Sequence, residues 1–227
     1  MRFLIGPNGA GKTTLVDAVT GLAKATGSAQ FDGVELLGKK VHQVARAGIG
    51  RTFRTASVFE ELTVLQKLDI AAGAVRKPWT LLCARNGVPP SIEAAMETTG
   101  LTDLRDRRAG ELAHGQKQWP EDGMLLVQDA RVLLLDEPVA CMSAEEREHT
   151  GELLRTVRKD HVVVVVEHDM EFLRAYADTV TVLAAGKVLA EGTYATVQAD
   201  SRVQEVYLGP SYEETPDGTV AVAAGGH

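Results

Sequence analysis

The chain has 227 residues, 44% of them hydrophobic, with 24 basic and 31 acidic residues and a net charge of −7. This length supports one globular core with at most a small second subdomain, and the acidic balance without any block of Lys and Arg argues against nucleic acid as a partner. The two cysteines show no metal spacing, and the apolar runs are strand-sized, so we expect a reducing compartment and only peripheral membrane association.

The first half of the chain reads as a strand, a glycine-rich turn, a helix and then a helical region. Residues 1–5 predict a buried strand, GPNGAGKT at 6–13 a turn, and 12–24 a helix. The apolar positions of that helix are Leu15, Val19 and Leu22. AQFDGVELLG predicts a strand with a turn at Asp32-Gly33. From about residue 60 to 110 the sequence is interrupted by prolines and predicts a separate, mostly α-helical subdomain.

Strands and helices alternate in the second half. VLLLD (132–136) and VVVVVEHD (162–169) predict strands, because their continuous apolar runs are typical of strands buried on both faces of a parallel sheet. SAEE (143–146) predicts a capped helix start, and TVTVLAAGKVLAEG predicts a hairpin turning at Gly186. The alternation predicts an α/β fold whose mostly parallel sheet is covered on both sides. Residues 209–227 lack apolar periodicity and are expected to be disordered.

GPNGAGKT fits the P-loop pattern GxxxxGK[ST] in the context that the pattern requires, between a strand and a helix. Its glycines let N–H groups approach a phosphate, and the helix N-terminus adds the positive end of its dipole. Lys12 is expected to reach the β- and γ-phosphates, and the Thr13 hydroxyl to bind Mg²⁺. The motif predicts a site for ATP and Mg²⁺, against the alternative of a glycine turn that binds nothing.

Three polar residues follow the two apolar strands and are expected at one edge of the sheet. Asp136 ends VLLLD, where a carboxylate can hold Mg²⁺ beside the P-loop. Glu137 can then act as general base toward the attacking water. His168 follows VVVVVE and is expected to contact the γ-phosphate, although a lone histidine there is often only a satisfied polar residue.

Together these motifs resemble the ATP-binding subunits of ATP-binding cassette (ABC) transporters. The resemblance covers residues 1–208 and rests on GPNGAGKT, LAHGQ in the place of the LSGGQ signature, LLLDEP, ACMS in the place of the D-loop, and EHD. It implies a P-loop NTPase fold with an inserted helical subdomain at about 58–128. It also implies a homo- or heterodimer in which the signature of one subunit covers ATP on the P-loop of the other. Permease subunits would hold it at the cytoplasmic face of the membrane, with only indirect contact to a substrate-binding protein.

The resemblance assigns roles residue by residue. Catalysis falls to Glu137 and His168, and metal binding to Thr13 and Asp136. The residues assigned to nucleotide binding are Gly6, Pro7, Asn8, Gly9, Ala10, Gly11, Lys12, Thr13, Thr14, Arg54, Ala113, His114, Gly115 and Gln116.

Further motifs are similar to one importer group. GIGRTF, EPVA and EVYLG look like the branched-chain amino acid and urea importers, and HGQKQW with VVVEHDMEF is most similar to the urea-type ATP-binding subunit. The expected function is ATP hydrolysis that energises urea import. The alternatives are branched-chain amino acid import, or a degenerate subunit that does not hydrolyse ATP and pairs with an active one.

Three departures from the family pattern concern the nucleotide site. Met1 begins on the P-loop strand, so we expect the antiparallel strands and the adenine-stacking aromatic residue that usually precede it to be missing. Arg54 replaces the Q-loop glutamine, whose amide oxygen can bind Mg²⁺, whereas a guanidinium has no acceptor. Arg54 is therefore expected to weaken Mg²⁺ handling. Ala113 replaces the signature serine and removes one hydroxyl donor.

Pro120 and Asp122 lie in the helix expected after the signature. In a helix interior, proline removes an N–H and costs about 3 kcal/mol. An unpaired carboxylate on the buried face adds to that cost. The two residues predict a kinked, weakened helix, and the alternative is a helix that starts near Pro120, because proline is accepted in a first turn.

Overall fold

The computed structural model describes residues 1–52, 59–74, 87–113 and 115–208, and two short strands beyond them. The strands are β1 (Arg2–Ile5), β2 (Gln30–Phe31), β3 (Val34–Glu35), β4 (Ile49–Arg51), β5 (Val132–Asp136), β6 (Val162–Val166), β7 (Thr179–Ala184), β8 (Lys187–Gly192), β9 (Tyr212–Glu214) and β10 (Val220–Val222). The helices are α1 (Lys12–Val19), α2 (Val41–Arg46), α3 (Val64–Ala74), α4 (Pro90–Thr98), α5 (Gln118–Val127), α6 (Ala144–Val157), α7 (Met170–Tyr176), α8 (Tyr194–Gln198) and α9 (Ser201–Leu208).

The centre of the fold is a six-stranded sheet in the order β4-β5-β6-β1-β7-β8. The first five of these strands run parallel, and β8 pairs antiparallel with β7. Since β5, β6 and β1 are adjacent, the loops after their carboxyl ends meet at one edge of the sheet. The predicted α/β fold with a mostly parallel sheet is confirmed.

Both faces of the sheet are covered, as the alternation of strands and helices predicts. Along β5, Leu133 and Leu135 belong to the apolar cluster that includes Leu154 of α6. Leu134 points to the opposite face and belongs to the cluster that includes Val16 of α1. This alternation of faces explains why the parallel strands read as continuous apolar runs.

Helices α3, α4 and α5 pack around a separate apolar cluster. Its members include Val64, Leu68, Ile92, Met96 and Trp119. Lys67 of α3 is buried in this region, and its Nζ lies 2.6 Å from the Glu121 carboxylate of α5. The limits of 58 and 128 for a helical subdomain stay a prediction.

The apolar face predicted for the first helix is wrong. Leu15 and Leu22 are exposed, and Val16 and Ala18 are the buried residues of α1. The helix is also shorter than predicted, since it ends at Val19 and the chain then turns through Gly21, whose φ is 80°. The P-loop fixes the rotation of α1 on the sheet, so its sequence periodicity did not decide which side is buried.

The turn predicted at Asp32-Gly33 is confirmed. It joins β2 to β3, and both residues have positive φ (48° and 75°), as a two-residue hairpin turn of the primed type requires. Among the described residues, this two-stranded sheet pairs with no further strand.

Within residues 209–227 the structure describes only β9 and β10, which pair antiparallel with each other. The other residues of this range lie outside the described part of the chain, so their predicted disorder stays a prediction. No helix in the described residues is long and apolar enough to cross a membrane.

Candidate nucleotide site

The P-loop connects β1 to α1 and depends on glycine at several positions. Gly6, Gly9 and Gly11 have φ of 151°, 79° and 97°, which residues with side chains rarely adopt. A Cβ on Gly6 would lie 2.1 Å from the main-chain oxygen of Leu183 in β7. Gly186, in the turn after β7, donates its N–H to the Ala10 carbonyl at 3.1 Å. The β7–β8 hairpin therefore supports the loop from one side.

The amide end of α1 opens into this loop. Gly11 is the N-cap residue and offers no side-chain hydrogen bond to the first helical turn, which leaves that turn open to an anion. The Lys12 ammonium group donates to the carbonyls of Gly6 at 2.7 Å and Pro7 at 3.1 Å. Thr13 and Thr14 are both exposed. The loop thus presents amides, one ammonium group and a hydroxyl to a single region.

Asp136 ends β5 and is buried beside β4. Its N–H donates to the Thr52 hydroxyl at 3.4 Å. Its Oδ2 lies 3.5 Å from Nη2 of Arg51, whose side chain is 7% exposed and also forms an ion pair with Asp17 of α1. A guanidinium group therefore lies between the expected metal ligand and the helix after the P-loop.

Sequence reasoning missed Arg51. GIGRTF was interpreted there only as a family motif. A cation within this short apolar segment could have indicated a buried charge. A charge buried beside a parallel strand requires a partner of opposite charge. The nearest such partner in the sheet is the carboxylate at the end of β5.

Glu137 and His168 lie together at the carboxyl edge of the sheet. Glu137 has a φ of 53°, and its N–H donates to the Val166 carbonyl at 2.8 Å. Such backbone strain in a residue with a side chain costs about 1–3 kcal/mol and is concentrated at functional sites. Nδ1 of His168 lies 3.5 Å from Oε1 of Glu137, and the histidine side chain is 67% exposed. The arrangement pairs a carboxylate with an accessible imidazole beside the P-loop.

Gly115 of the signature lies against the start of α6. Gly115 begins a 3-10 turn (Gly115–Lys117), and a Cβ on it would lie 2.6 Å from the Glu146 carboxyl carbon. The Ala113 N–H donates to the side-chain oxygen of Gln116 at 3.2 Å. His114 and Arg54 lie outside the described residues, so the expectations for them stay predictions.

Helix α5 begins at Gln118, directly after the 3-10 turn. Pro120 is therefore the third residue of the helix and lies in its first turn, where an N–H has no partner within the helix. The prediction that Pro120 kinks a helix interior is wrong, and the alternative of a late start is confirmed. The chain enters α5 through tighter 3-10 winding, which the sequence did not indicate.

Asp122 is the buried carboxylate that the sequence predicted. It is 1% exposed, and its Oδ1 lies 3.5 Å from the Gln118 amide nitrogen. Within the described residues, its Oδ2 has no hydrogen-bond partner. Burial, with a smaller contribution from Glu121, raises the pKa of Asp122 to about 7.

The D-loop leads into α6 through the predicted capping box. The Ser143 hydroxyl accepts from the Glu146 N–H at 3.2 Å, and the Glu146 carboxylate accepts from the Ser143 N–H at 2.9 Å. Cys141, two residues earlier, is exposed and has a φ of 60°. Cys83 lies outside the described residues.

Comparisons with known proteins agree with this architecture. A family profile described as "ABC transporter" matches residues 1–140, and one described as "Branched-chain amino acid ATP-binding cassette transporter" matches residues 187–209. The chain is 33% identical to the high-affinity branched-chain amino acid transport ATP-binding protein BraF of Pseudomonas aeruginosa, over 91% of this chain and 86% of the relative. It is 32% identical to LivG of Escherichia coli K12, which has the same description, with the same coverage of each chain.

The solved structure of MJ1267 in its ADP conformation, an ATP-binding cassette of an ABC transporter, superposes with a TM-score of 0.78. The two chains are 29% identical, and the match covers 92% of this chain and 87% of the other. The names of the curated relatives specify branched-chain amino acids, which favours that alternative over the predicted urea.

Proposed function

Since this chain belongs to the ABC transporter family of ATP-hydrolysing subunits, we propose that it energises an importer of branched-chain amino acids. One observation supports hydrolysis at this site above the others. A strained Glu137 lies 3.5 Å from an exposed His168 at the edge from which the P-loop emerges. The match of residues 187–209 to a branched-chain amino acid transporter profile supports the substrate class.

In this proposal the P-loop residues bind the phosphates of ATP. The main-chain N–H groups of the loop, which Pro7 lacks, and the Lys12 ammonium group stabilise the phosphate charge. The donor set at the edge suits Mg²⁺, because the Thr13 hydroxyl and the Asp136 carboxylate are oxygen ligands, which this ion prefers. When bound, Mg²⁺ supplies charge neutralisation at the β- and γ-phosphates.

Hydrolysis then requires a base and a contact for the γ-phosphate. Glu137 accepts a proton from the water whose oxygen attacks the γ-phosphorus, and the bond to the ADP oxygen breaks. His168 holds the γ-phosphate by a hydrogen bond as negative charge shifts during the transfer. The exposure of the imidazole suits a contact with a ligand rather than with the protein interior.

The proposal includes a second ATP-binding subunit, identical or related. Gly115 of the signature lies against Glu146 at the start of α6, and we expect the signature to cover ATP bound by a partner. Permease subunits would hold the dimer at the cytoplasmic face of the membrane, and the substrate-binding protein would act through them.

An ATPase assay of the chain in the presence of Mg²⁺ tests the catalytic part. Glu137→Gln should remove hydrolysis and retain ATP binding, because the amide cannot accept the proton while the P-loop is unchanged. Glu171→Gln, on the exposed first turn of α7, is the matched control. Hydrolysis by Glu137→Gln at the unaltered rate would contradict the role of Glu137.

Uptake in cells tests the substrate class. Deleting the coding sequence from its host should lower uptake of labelled leucine, isoleucine and valine and leave uptake of labelled urea unchanged. The reverse pattern would restore the urea alternative.

A second candidate is a nucleotide-binding subunit that does not hydrolyse ATP. Arg54 in the Q-loop position favours it, because the guanidinium offers no acceptor to Mg²⁺. Arg54→Gln should then raise the ATPase rate, and an unchanged rate would remove this support.

A further inference from the structure

Glu167, which precedes His168, is a carboxylate buried to 2% exposure. Burial of a carboxylate is unfavourable unless hydrogen bonds satisfy it, and desolvation raises the pKa of Glu167. Three main-chain N–H groups offset this cost. Oε2 accepts from His168 at 2.7 Å and Asp169 at 3.2 Å, and Oε1 accepts from Val139 at 3.4 Å.

These three donors come from two different loops. His168 and Asp169 follow β6, whereas Val139 follows β5 and lies two residues after Glu137. The same carboxylate also lies 3.6 Å from Nδ1 of His168. One side chain therefore joins the loop of the proposed base to the loop of the proposed phosphate contact.

The loop after β6 is also held on its far side. Asp169 is the N-cap of α7, where its side chain accepts from the Phe172 N–H at 2.9 Å. The other oxygen of Asp169 lies 2.6 Å from Nη1 of Arg147 in α6. With α7 fixed in this way, the contact between Glu167 and Val139 joins the two loops beside the main-chain hydrogen bond from Glu137 to Val166.

We propose that Glu167 is a positioning residue for ATP hydrolysis, which fixes the separation of Glu137 and His168 by bonding both of their loops. The inference rests on the proposed hydrolytic function and adds a residue to it. The side chain bonds neither the P-loop nor Lys12 through these contacts. Its loss is therefore expected to lower kcat and to leave nucleotide affinity nearly unchanged.

Glu167→Gln in the full chain tests the proposal. The amide has the same shape but only one acceptor oxygen, so at least one loop loses its bond. We expect kcat to fall by roughly 10- to 100-fold, because small displacements of catalytic groups have effects of this size. The Kd of a fluorescent ATP analogue should change by no more than about twofold. Glu171→Gln makes the same chemical change four residues further on, at an exposed site, and should alter neither quantity.

A double-mutant cycle separates positioning from a general structural role. If Glu167 acts through His168, Glu167→Gln should lower kcat much less in the His168→Ala background than in the unaltered chain. If the loss of kcat in the double variant equals the product of the losses in the two single variants, the proposal is overturned. An unchanged kcat, or a parallel loss of affinity and kcat, would also overturn it.

Amide hydrogen exchange provides a readout that does not depend on hydrolysis. The amides of Val139, His168 and Asp169 should exchange at least about tenfold faster in Glu167→Gln, because their acceptor is weakened. Unchanged exchange would overturn the inference even if the chain hydrolyses ATP. Faster exchange in a chain that hydrolyses no ATP would refute the proposed function and leave the bridge between the loops established.

Discussion

The edge of the sheet and the helix after the signature each bury a carboxylate, in different surroundings. Glu167 at the sheet edge accepts hydrogen bonds from three main-chain N–H groups. Asp122 in α5 has one long contact with Gln118, and its second oxygen has no hydrogen-bond partner within the described residues. Hydrogen bonds therefore compensate the buried carboxylate at the sheet edge, whereas the buried carboxylate in α5 is poorly compensated.

The difference follows from secondary structure. A residue after a strand has left the hydrogen-bond ladder, so neighbouring loop N–H groups are available to a side chain. Inside a helix, each N–H is already bonded to the carbonyl four residues earlier, so Asp122 finds no main-chain donor nearby. A buried carboxylate can therefore organise a site at a strand end, whereas in a helix interior it lowers stability.

Substitution of Arg51 at the sheet edge should give the largest change in stability. Arg51→Met removes the cation between Asp17 and Asp136, and removing one partner of a buried ion pair costs about 3–5 kcal/mol. Arg108→Met, whose pair with Glu61 is exposed, should change stability by less than about 1 kcal/mol. Urea denaturation of both variants measures the difference, and equal losses would show that the buried charges at the sheet edge do not depend on each other.

Asp122 is the corresponding test in the signature helix. Its pKa is raised from 3.8 to about 7 in the folded chain. The folded state therefore binds the proton more tightly, and stability falls as pH rises from about 4 to about 7. The loss attributable to Asp122 is up to about 4 kcal/mol.

Asp122→Asn should remove this pH dependence, as measured by denaturation at pH 4, 5.5 and 7. Asp103→Asn, an exposed aspartate in the same part of the chain, serves as the control. If the stability of Asp122→Asn declined with pH as steeply as that of the unaltered chain, Asp122 would not be the poorly compensated group.

Gly6 and Gly9 of the P-loop differ in the space that each has for a side chain. Both have positive φ, but a Cβ would meet the Leu183 oxygen only at Gly6 and would meet nothing within 4 Å at Gly9. Gly6→Ala should therefore be less stable than Gly9→Ala by about 1–3 kcal/mol, the usual cost of overpacking. Thermal unfolding of the two variants side by side decides whether the β7–β8 hairpin supports the loop.

Pro120 should give the smallest effect. In the first turn of α5 its substitution by alanine should change stability by no more than about 1 kcal/mol, since no helix interior is relieved. A gain near 3 kcal/mol on denaturation would instead show that proline strains the signature helix, in line with the interior penalty.

Several elements could be predicted from sequence to within a residue. The strand VLLLD has the predicted bounds, and the apolar run of VVVVVEHD forms β6, because continuous apolar runs of that length occur where both faces are buried. The turn at Gly186 and the capping box at Ser143 were also correct, since each depends on residues adjacent in the chain. Two features failed, the buried face of α1 and the start of α5, because neighbouring elements fix the rotation and the entry of each helix.

By itself, the sequence determined which strands and helices follow one another along the chain and the chemistry of each loop. A P-loop, a carboxylate after one strand and a histidine after another are local patterns that do not depend on the rest of the chain. Only the tertiary structure decided which buried charges meet. Arg51 pairs with Asp136, Glu167 accepts a hydrogen bond from Val139, and Asp122 remains poorly compensated. These outcomes depend on which elements are adjacent and on how far each side chain reaches.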